Sequence, residues 1–380
     1  MNFALLRSQR RLSVLASHLR SMSSSGSDPT DVEFLRNGCV GHAKLNRPKA
    51  LNSLNVSMLS KLSEEFRRWE ADDSVSLYLL SGNGGRAFCA GGDVRSLAKA
   101  ATENDHAFLV EFFQTEFSVD HQLATLKKPL VALADGIWMG GGVGISAHAP
   151  VRVVTEKTVF AMPETGIGFF PDVGVTHVLS RMGNIGRFLA LTGLTLRGHD
   201  VLLAGLATHF VPSDQMEALT KDLESVSAAD SMSSVLEKYH ADEVSSPGGE
   251  PTYMRRHESD IEHLFAGDTL QAVLSGMEEK SSSNEFARDV LAVLKSRCPL
   301  SMAVTWEQLQ RNKDLSLHEV LASDYRLALR TIVHSEFREG IRAALVDKDK
   351  NPQWTSSLDS VDVDSFFAPM KAGEGFQQGN

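Results

Sequence analysis

Apolar and polar residues alternate over residues 32–44, where Val40, His42 and Lys44 oppose Gly41, Ala43 and Leu45 beside the pair Asn37-Gly38. A period of two broken by Asn-Gly predicts a β-hairpin. The period then changes: Leu59, Leu62, Phe66 and Trp69 recur at steps of three, four and three. That is the buried stripe of an amphipathic helix over about Val56–Ala71. Residues 77–80 form a short apolar strand candidate, and a long helix is expected over 108–126. After Pro129 the unbroken apolar run Leu130–Ala134 reads as a strand covered on both faces. Val151–Val154 and Val159–Ala161 extend the alternation of strand and helix. Beyond Gly183 the pattern is mainly helical, with periodic segments near 216–226, 233–239, 286–294 and 317–344. Residues 242–251, rich in Ser, Pro, Gly and Glu, are the linker candidate between an αβ-alternating front and a helical back.

Composition narrows the function classes. A chain of 380 residues with 42% hydrophobic and 23% charged positions buries a large core and is not a disordered polymer. Its net charge of −10 argues against a broad nucleic-acid footprint. Cys39, Cys89 and Cys298 show no CxxC spacing, so neither a disulfide framework nor a cysteine zinc site is expected, and a reducing compartment is. The 13 histidines offer no HExxH spacing, and no metal is expected. The longest stretch without a charge is residues 136–151, which includes five glycines and is too short to span a bilayer, so no membrane insertion is expected. Residues 1–27 are different: four arginines (Arg7, Arg10, Arg11, Arg20), eight serines, no acid, and leucines at roughly helical spacing. This is the composition of a mitochondrial targeting presequence, with a merely disordered basic tail as the alternative. The final residues do not form a peroxisomal signal.

Candidate chemistry gathers in the front half. Two glycine-rich loops follow strands, Phe88-Cys89-Ala90-Gly91-Gly92-Asp93 and Met139-Gly140-Gly141-Gly142-Val143-Gly144. Neither fits GxGxxG or a P-loop, so phosphate cradling is the weaker reading. Pairs of backbone N–H donors, one backed by a helix dipole, suit an enolate or a tetrahedral oxyanion; tight turns that pack strand on helix are the plain alternative. Downstream, Glu164 and Asp172 stand eight residues apart in Met162-Pro163-Glu164-Thr165-Gly166-Ile167-Gly168-Phe169-Phe170-Pro171-Asp172-Val173-Gly174. Held against apolar walls, such carboxyls rise towards general acid/base range. Equally, Asp172 could cap the next helix and Glu164 could make a local backbone bond. Glu116 interrupts the apolar stripe of Phe108, Phe112, Val119, Leu123 and Leu126, so it is paired, hydrogen-bonded or functional. Gly144-Ile145-Ser146-Ala147-His148 lacks the second glycine of a nucleophile elbow, which argues against a serine hydrolase.

Three motifs taken together, Leu45-Asn46-Arg47-Pro48-Lys49-Ala50-Leu51-Asn52, Ala87 to Asp93 and Asp135 to Gly144, resemble the crotonase, or enoyl-CoA hydratase/isomerase, superfamily. The resemblance implies an α/β fold, a spiral of ββα units that binds acyl-CoA, here with an extended helical C-terminal region. The division it implies is 1–27 presequence, 28–240 acyl-CoA-binding core and 241–380 helical region. It implies an oxyanion hole from the N–H groups of Ala90 and Gly141, and pantetheine passing Ala50 and Leu51. Hydratases of this superfamily use two glutamates, one in the triple-glycine helix and one after the proline. Gly144 stands at the first position, so only Glu164 is kept.

With Glu116 and the Phe-Pro-Asp run, the chain resembles the 3-hydroxyisobutyryl-CoA hydrolase branch, over about residues 32–366. That branch implies Glu164 and Asp172 as the working pair and Glu116 and Gly141 as further substrate contacts. It also implies no cofactor beyond the CoA of the substrate, and a place in valine breakdown in the mitochondrial matrix. Trp138 departs from the small polar residue usual there and is expected to reshape the acyl pocket. A hydratase or isomerase of the same superfamily, and a structural subunit of the mitochondrial ribosome, are the competing readings. The choice between 3-hydroxyisobutyryl and 3-hydroxypropionyl groups stays open, as do monomer, dimer and trimer. A methyl in an apolar pocket is worth only about 1 to 3 kcal/mol.

Overall fold

The structure, a computed structural model, describes residues 30–241, 252–371 and 373–377. The presequence candidate and the linker candidate lie outside the described residues. Strands β1 (Val32–Asn37) and β2 (Val40–Leu45) form the expected hairpin, with Asn37 opposite Val40. Helix α1 has the expected bounds, Val56–Ala71, and buries Leu59, Leu62, Phe66 and Trp69. The chain then builds two sheets at once. Strands β3 (Leu77–Gly82), β5 (Leu130–Ala134) and β7 (Val151–Val154) add in parallel to the hairpin. The short strands β4 (Ala87–Cys89), β6 (Ile137–Met139) and β8 (Val159–Ala161) add in parallel to a second sheet. Each consecutive pair places one strand in each sheet, so each ββ step is one turn of a spiral. β4 and β6 have three residues apiece, too short for periodicity to show. β9 (Leu196–Arg197) closes the second sheet antiparallel to β8, and β10 (His209–Phe210) closes the first.

Helices fill the turns. α2 is Val94–Glu103, and α3, His106–Ala124, is the expected long helix, its first turn capped by Asp105, which accepts from Phe108 N at 3.1 Å. α4 is a single turn, Gly141–Gly144, followed by α5 (Val175–Leu179) and α6 (Gly183–Thr192). After Met216–Glu224 and Met232–Tyr239 come α7 (Tyr253–Leu264), α8 (Leu270–Lys280), α9 (Glu285–Lys295), α10 (Pro299–Arg311), α11 (Leu317–Thr331) and α12 (Ser335–Ile341). The periodic run 317–344 is thus broken. His334 turns extended and its Nδ1 accepts from Glu336 N at 3.2 Å, restarting the helix, and a π turn, Arg342–Val346, follows. Periodicity cannot display a cap that side chains make. The back half is not a separate body: one apolar cluster contains Phe117, Leu179, Trp306, Leu321 and Phe337 together.

Candidate active site

Several elements converge on one cavity of about 100 Å³ with mostly apolar walls. Among the residues facing it are Ala90, Gly141, Glu116, Glu164 and Asp172, so the structure brings together five of the seven residues expected from sequence. Ala50 and Leu51 do not face it. They lie in a 3₁₀ turn whose Leu51 carbonyl accepts a hydrogen bond from Ala90 N at 3.0 Å. That bond corrects the expected oxyanion hole, because the N–H of Ala90 is already used. The N–H that faces Gly141 is that of Gly92: a Cβ on Gly141 would lie 3.2 Å from Gly92 N. Gly141, as first residue of α4, needs no intrahelical acceptor for its own N–H.

The glycine turn is supported from behind. Trp138 is fully buried and does not face the cavity, against the expectation that it reshapes the acyl pocket. Its Nε1 donates to Ser146 Oγ at 2.8 Å, and Ser146 Oγ donates to Gly142 O at 2.6 Å. Ser146 therefore holds the turn in place and lies beyond the end of α4 rather than inside it.

Glu116 projects from the buried face of α3, and a Cβ on Gly141 would strike its Oε1. Among the described residues no arginine pairs with it, and Oε1 has no hydrogen-bond partner. Glu164 begins a 3₁₀ turn, Glu164–Ile167, and its Oε1 lies against the adjoining glycine, 3.3 Å from where a Cβ of Gly140 would be. The turn is held from the helical back half: Cys298 N donates to Thr165 O at 3.0 Å, and α12 lies so close that a Cβ on Gly340 would strike the Ile167 carbonyl. Asp172 does not cap the following helix. Gly174 is the N-cap of α5, and its N–H is taken by Asp324 Oδ2 at 2.8 Å, which leaves the Asp172 carboxyl facing the cavity. Val173, beside it, holds a left-handed φ of 56°, a strained state for a β-branched residue.

Burial dominates the electrostatics. Desolvation pushes Glu116 and Glu164 well above the usual carboxylate range, and the neighbouring Asp172 pushes both further. Asp172 rises to about 7, also through desolvation, opposed by its own backbone amide. Sequence reasoning missed two contributors. One is Asp120, four residues after Glu116 on the same face of α3, whose spacing was a usable signal. The other is the far wall, Ile332, Phe337, Ile341 and Leu345, which comes from α12 and its flanks and which no motif marks.

Gly144 explains the missing second glutamate in steric terms. A Cβ there would lie 2.6 Å from Val173 Cβ and 2.7 Å from Asp120 Oδ1, so the space a side chain would need is already filled.

Comparison with known proteins gives concordant results. The enoyl-CoA hydratase/isomerase family model matches residues 40–367. A rat protein named 3-hydroxyisobutyryl-CoA hydrolase, mitochondrial, is 39% identical over 95% of this chain and 94% of its own. A human protein of the same name is 39% identical over 91% and 89%. Among solved structures, a carnitinyl-CoA dehydratase from Mycobacterium thermoresistibile superposes with a TM-score of 0.83 at 36% identity, covering 92% of this chain and 98% of that one. An enoyl-CoA hydratase from Rhodobacter sphaeroides gives 0.80 at 34%, covering 91% and 99%.

Proposed function

The chain belongs to the enoyl-CoA hydratase/isomerase family, and from that membership we propose that it hydrolyses the thioester of 3-hydroxyisobutyryl-CoA to the free acid and CoA. The names of its relatives point to different reactions: the curated ones are hydrolases, the solved ones a dehydratase and a hydratase. The observation that carries the hydrolase reading is Gly144. Water addition in this superfamily draws on a second glutamate at that position, and the contacts of Asp120 and Val173 leave no room for one.

The mechanism uses what remains. The thioester oxygen sits between the N–H groups of Gly92 and Gly141, where donors aimed at developing negative charge are worth most. Glu164, whose Oε1 lies against Gly140, either activates a water or attacks to give a transient anhydride that a water then hydrolyses. CoA departs as a thiolate and needs little acid assistance. Asp172 accepts from the 3-hydroxyl of the substrate, Glu116, held protonated by burial, donates to that hydroxyl's oxygen, and the apolar far wall covers the acyl carbons. No cofactor takes part. The reaction is placed in mitochondria by the names of the relatives together with the arginine- and serine-rich residues 1–27.

The test is thiol release from 3-hydroxyisobutyryl-CoA and from isobutyryl-CoA, beside crotonyl-CoA hydration, for the wild type, Glu164→Gln and Asp172→Asn. Release falling by about 10²-fold or more in both variants is expected, since positioned acid/base groups contribute that much. The deoxy substrate is expected to be hydrolysed far more slowly, because it leaves buried polar groups unmet. Hydration without hydrolysis, or release indifferent to both substitutions, overturns the proposal.

A further inference from the structure

Asp120 has no part in the mechanism above, yet among the described residues it is a buried acid with neither oxygen partnered. It is 1% exposed, and neither carboxyl oxygen has a hydrogen-bond partner. Its Oδ1 and the Cβ of Val173 lie 2.7 and 2.6 Å from where a Cβ of Gly144 would be, so together they fill the space beside the glycine turn. The charged groups that act on it are all acids: Glu116 on its own helix, Asp172 on the adjoining turn and Asp324 on α11. Towards α3, α1 presents Ser63, bonded to Gln122, α2 presents Leu97, Ala100 and Ala101, and α4 carries no ionisable side chain. Among the described residues, no set of acidic, histidine or cysteine side chains converges as metal ligands would.

Asp120 is within reach of three other desolvated carboxyls, and four such groups cannot all ionise. Which of them holds a proton is decided by their donors. Asp324 accepts from Gly174 N and from Gln308 Nε2, both at 2.8 Å, and Asp172 is opposed in its rise by its own amide. Among the described residues neither oxygen of Asp120 has a donor. We propose that Asp120 is a neutral carboxylic acid in the resting enzyme, a positioning residue that keeps charge out of the space beside Gly144 and so allows Asp172 to carry one. Its protonation stands apart from the thioesterase reading; its consequence for Asp172 rests on that reading.

The two are separated by measuring them separately. Full-length protein carrying carboxyl-¹³C-labelled aspartate is examined by infrared spectroscopy at pH 7, where protonated and ionised carboxyls absorb in different regions. A protonated-aspartic-acid band present in the wild type and lost in Asp120→Asn is expected; an unchanged protonated region overturns the proposal whatever the enzyme hydrolyses. Asp120→Ala, which removes the group without adding atoms, gives the same reading should the amide not fold. In the thiol-release assay Asp120→Asn replaces neutral by neutral. Its loss of kcat is expected to stay well under the roughly 10²-fold of a missing acid/base group, with the pH profile of kcat/KM unmoved. A profile displaced to lower pH shows that a negative charge was removed, and refutes the assignment.

Discussion

Replacing Gly144 by alanine is the sharpest perturbation the site allows, because one methyl group meets two walls at once. Its carbon would lie 2.6 Å from Val173 Cβ and 2.7 Å from Asp120 Oδ1. Ordinary carbon contacts are about 3.5 to 4.0 Å, so the walls must part by about 1 Å. Val173 cannot give way alone: it already stands at a φ of 56°, and it is bonded directly to Asp172. Overpacking of this size costs about 1 to 3 kcal/mol, a fraction of the 5 to 15 kcal/mol that holds a domain together, so the protein folds. Differential scanning calorimetry is expected to show Tm lowered by a few degrees. Catalysis loses far more, since a misplacement of about 1 Å costs about 10²-fold. The expected signature in the thiol-release assay is a kcat reduced by about that factor with KM for 3-hydroxyisobutyryl-CoA changed little. Gly144→Glu is expected to lose hydrolysis and gain no hydration of crotonyl-CoA. Wild-type kcat in the alanine variant, or hydration in the glutamate variant, refutes the claim that packing at this position excludes a second acid.

Two further outcomes follow from other parts of the site. Trp138→Phe keeps the ring and removes the donor to Ser146, so kcat is expected to fall with KM nearly unchanged, because the turn that presents the Gly141 N–H loosens; equal kcat in Trp138→Phe and the wild type would show that the strut positions nothing. Stability is expected to fall as pH rises from 6.5 to 8.5. Asp172, Glu116 and Glu164 hold protons in the folded state well above the values at which the unfolded chain releases them, and such stabilisation is lost as pH rises through the folded values. His42 and His148, both held near 4 by burial, act in the opposite sense, but only below about pH 6.5, where the unfolded chain begins to bind their protons. Thermal melts of the wild type and Glu116→Gln across that upper window test this, the variant being expected to lose less; a melting temperature that climbs from pH 6.5 to 8.5 contradicts it.

What was legible in the sequence is what repeats or what ligands demand. The hairpin and α1 were readable to within a residue because alternation and the Leu59–Trp69 stripe are local consequences of burial on one face. Glu116, Glu164 and Asp172 stood out because a carboxyl among apolar residues has a cost that must be met somehow. The oxyanion donor was misplaced by two residues because a glycine-rich loop shows that backbone comes close, not which N–H is left over. Only the bond from Ala90 N to Leu51 O decides that, and it joins residues 39 positions apart. Asp120 was passed over although it shares the Glu116 face, because the stripe was counted from its apolar members and the second acid fell between them.

The helical back half, which the sequence presents as periodic and without motifs, is what turns these acids into a site. It donates Cys298 N to the Glu164 turn, packs Gly340 against Ile167, and sets Asp324 on the amide of Gly174, which would otherwise draw Asp172 out of the cavity as a cap. α12 and its flanks also provide the apolar wall that keeps water from solvating Glu164 and Asp172. A spiral without this cover would hold the same residues in a more hydrated cleft, where their carboxyls would ionise at ordinary values and repel one another openly. The raised proton affinity that the proposed chemistry needs is therefore a property of the contact between the two halves, not of the motifs. A short motif records which groups are present; the strength with which they hold protons is set by chain more than a hundred residues away.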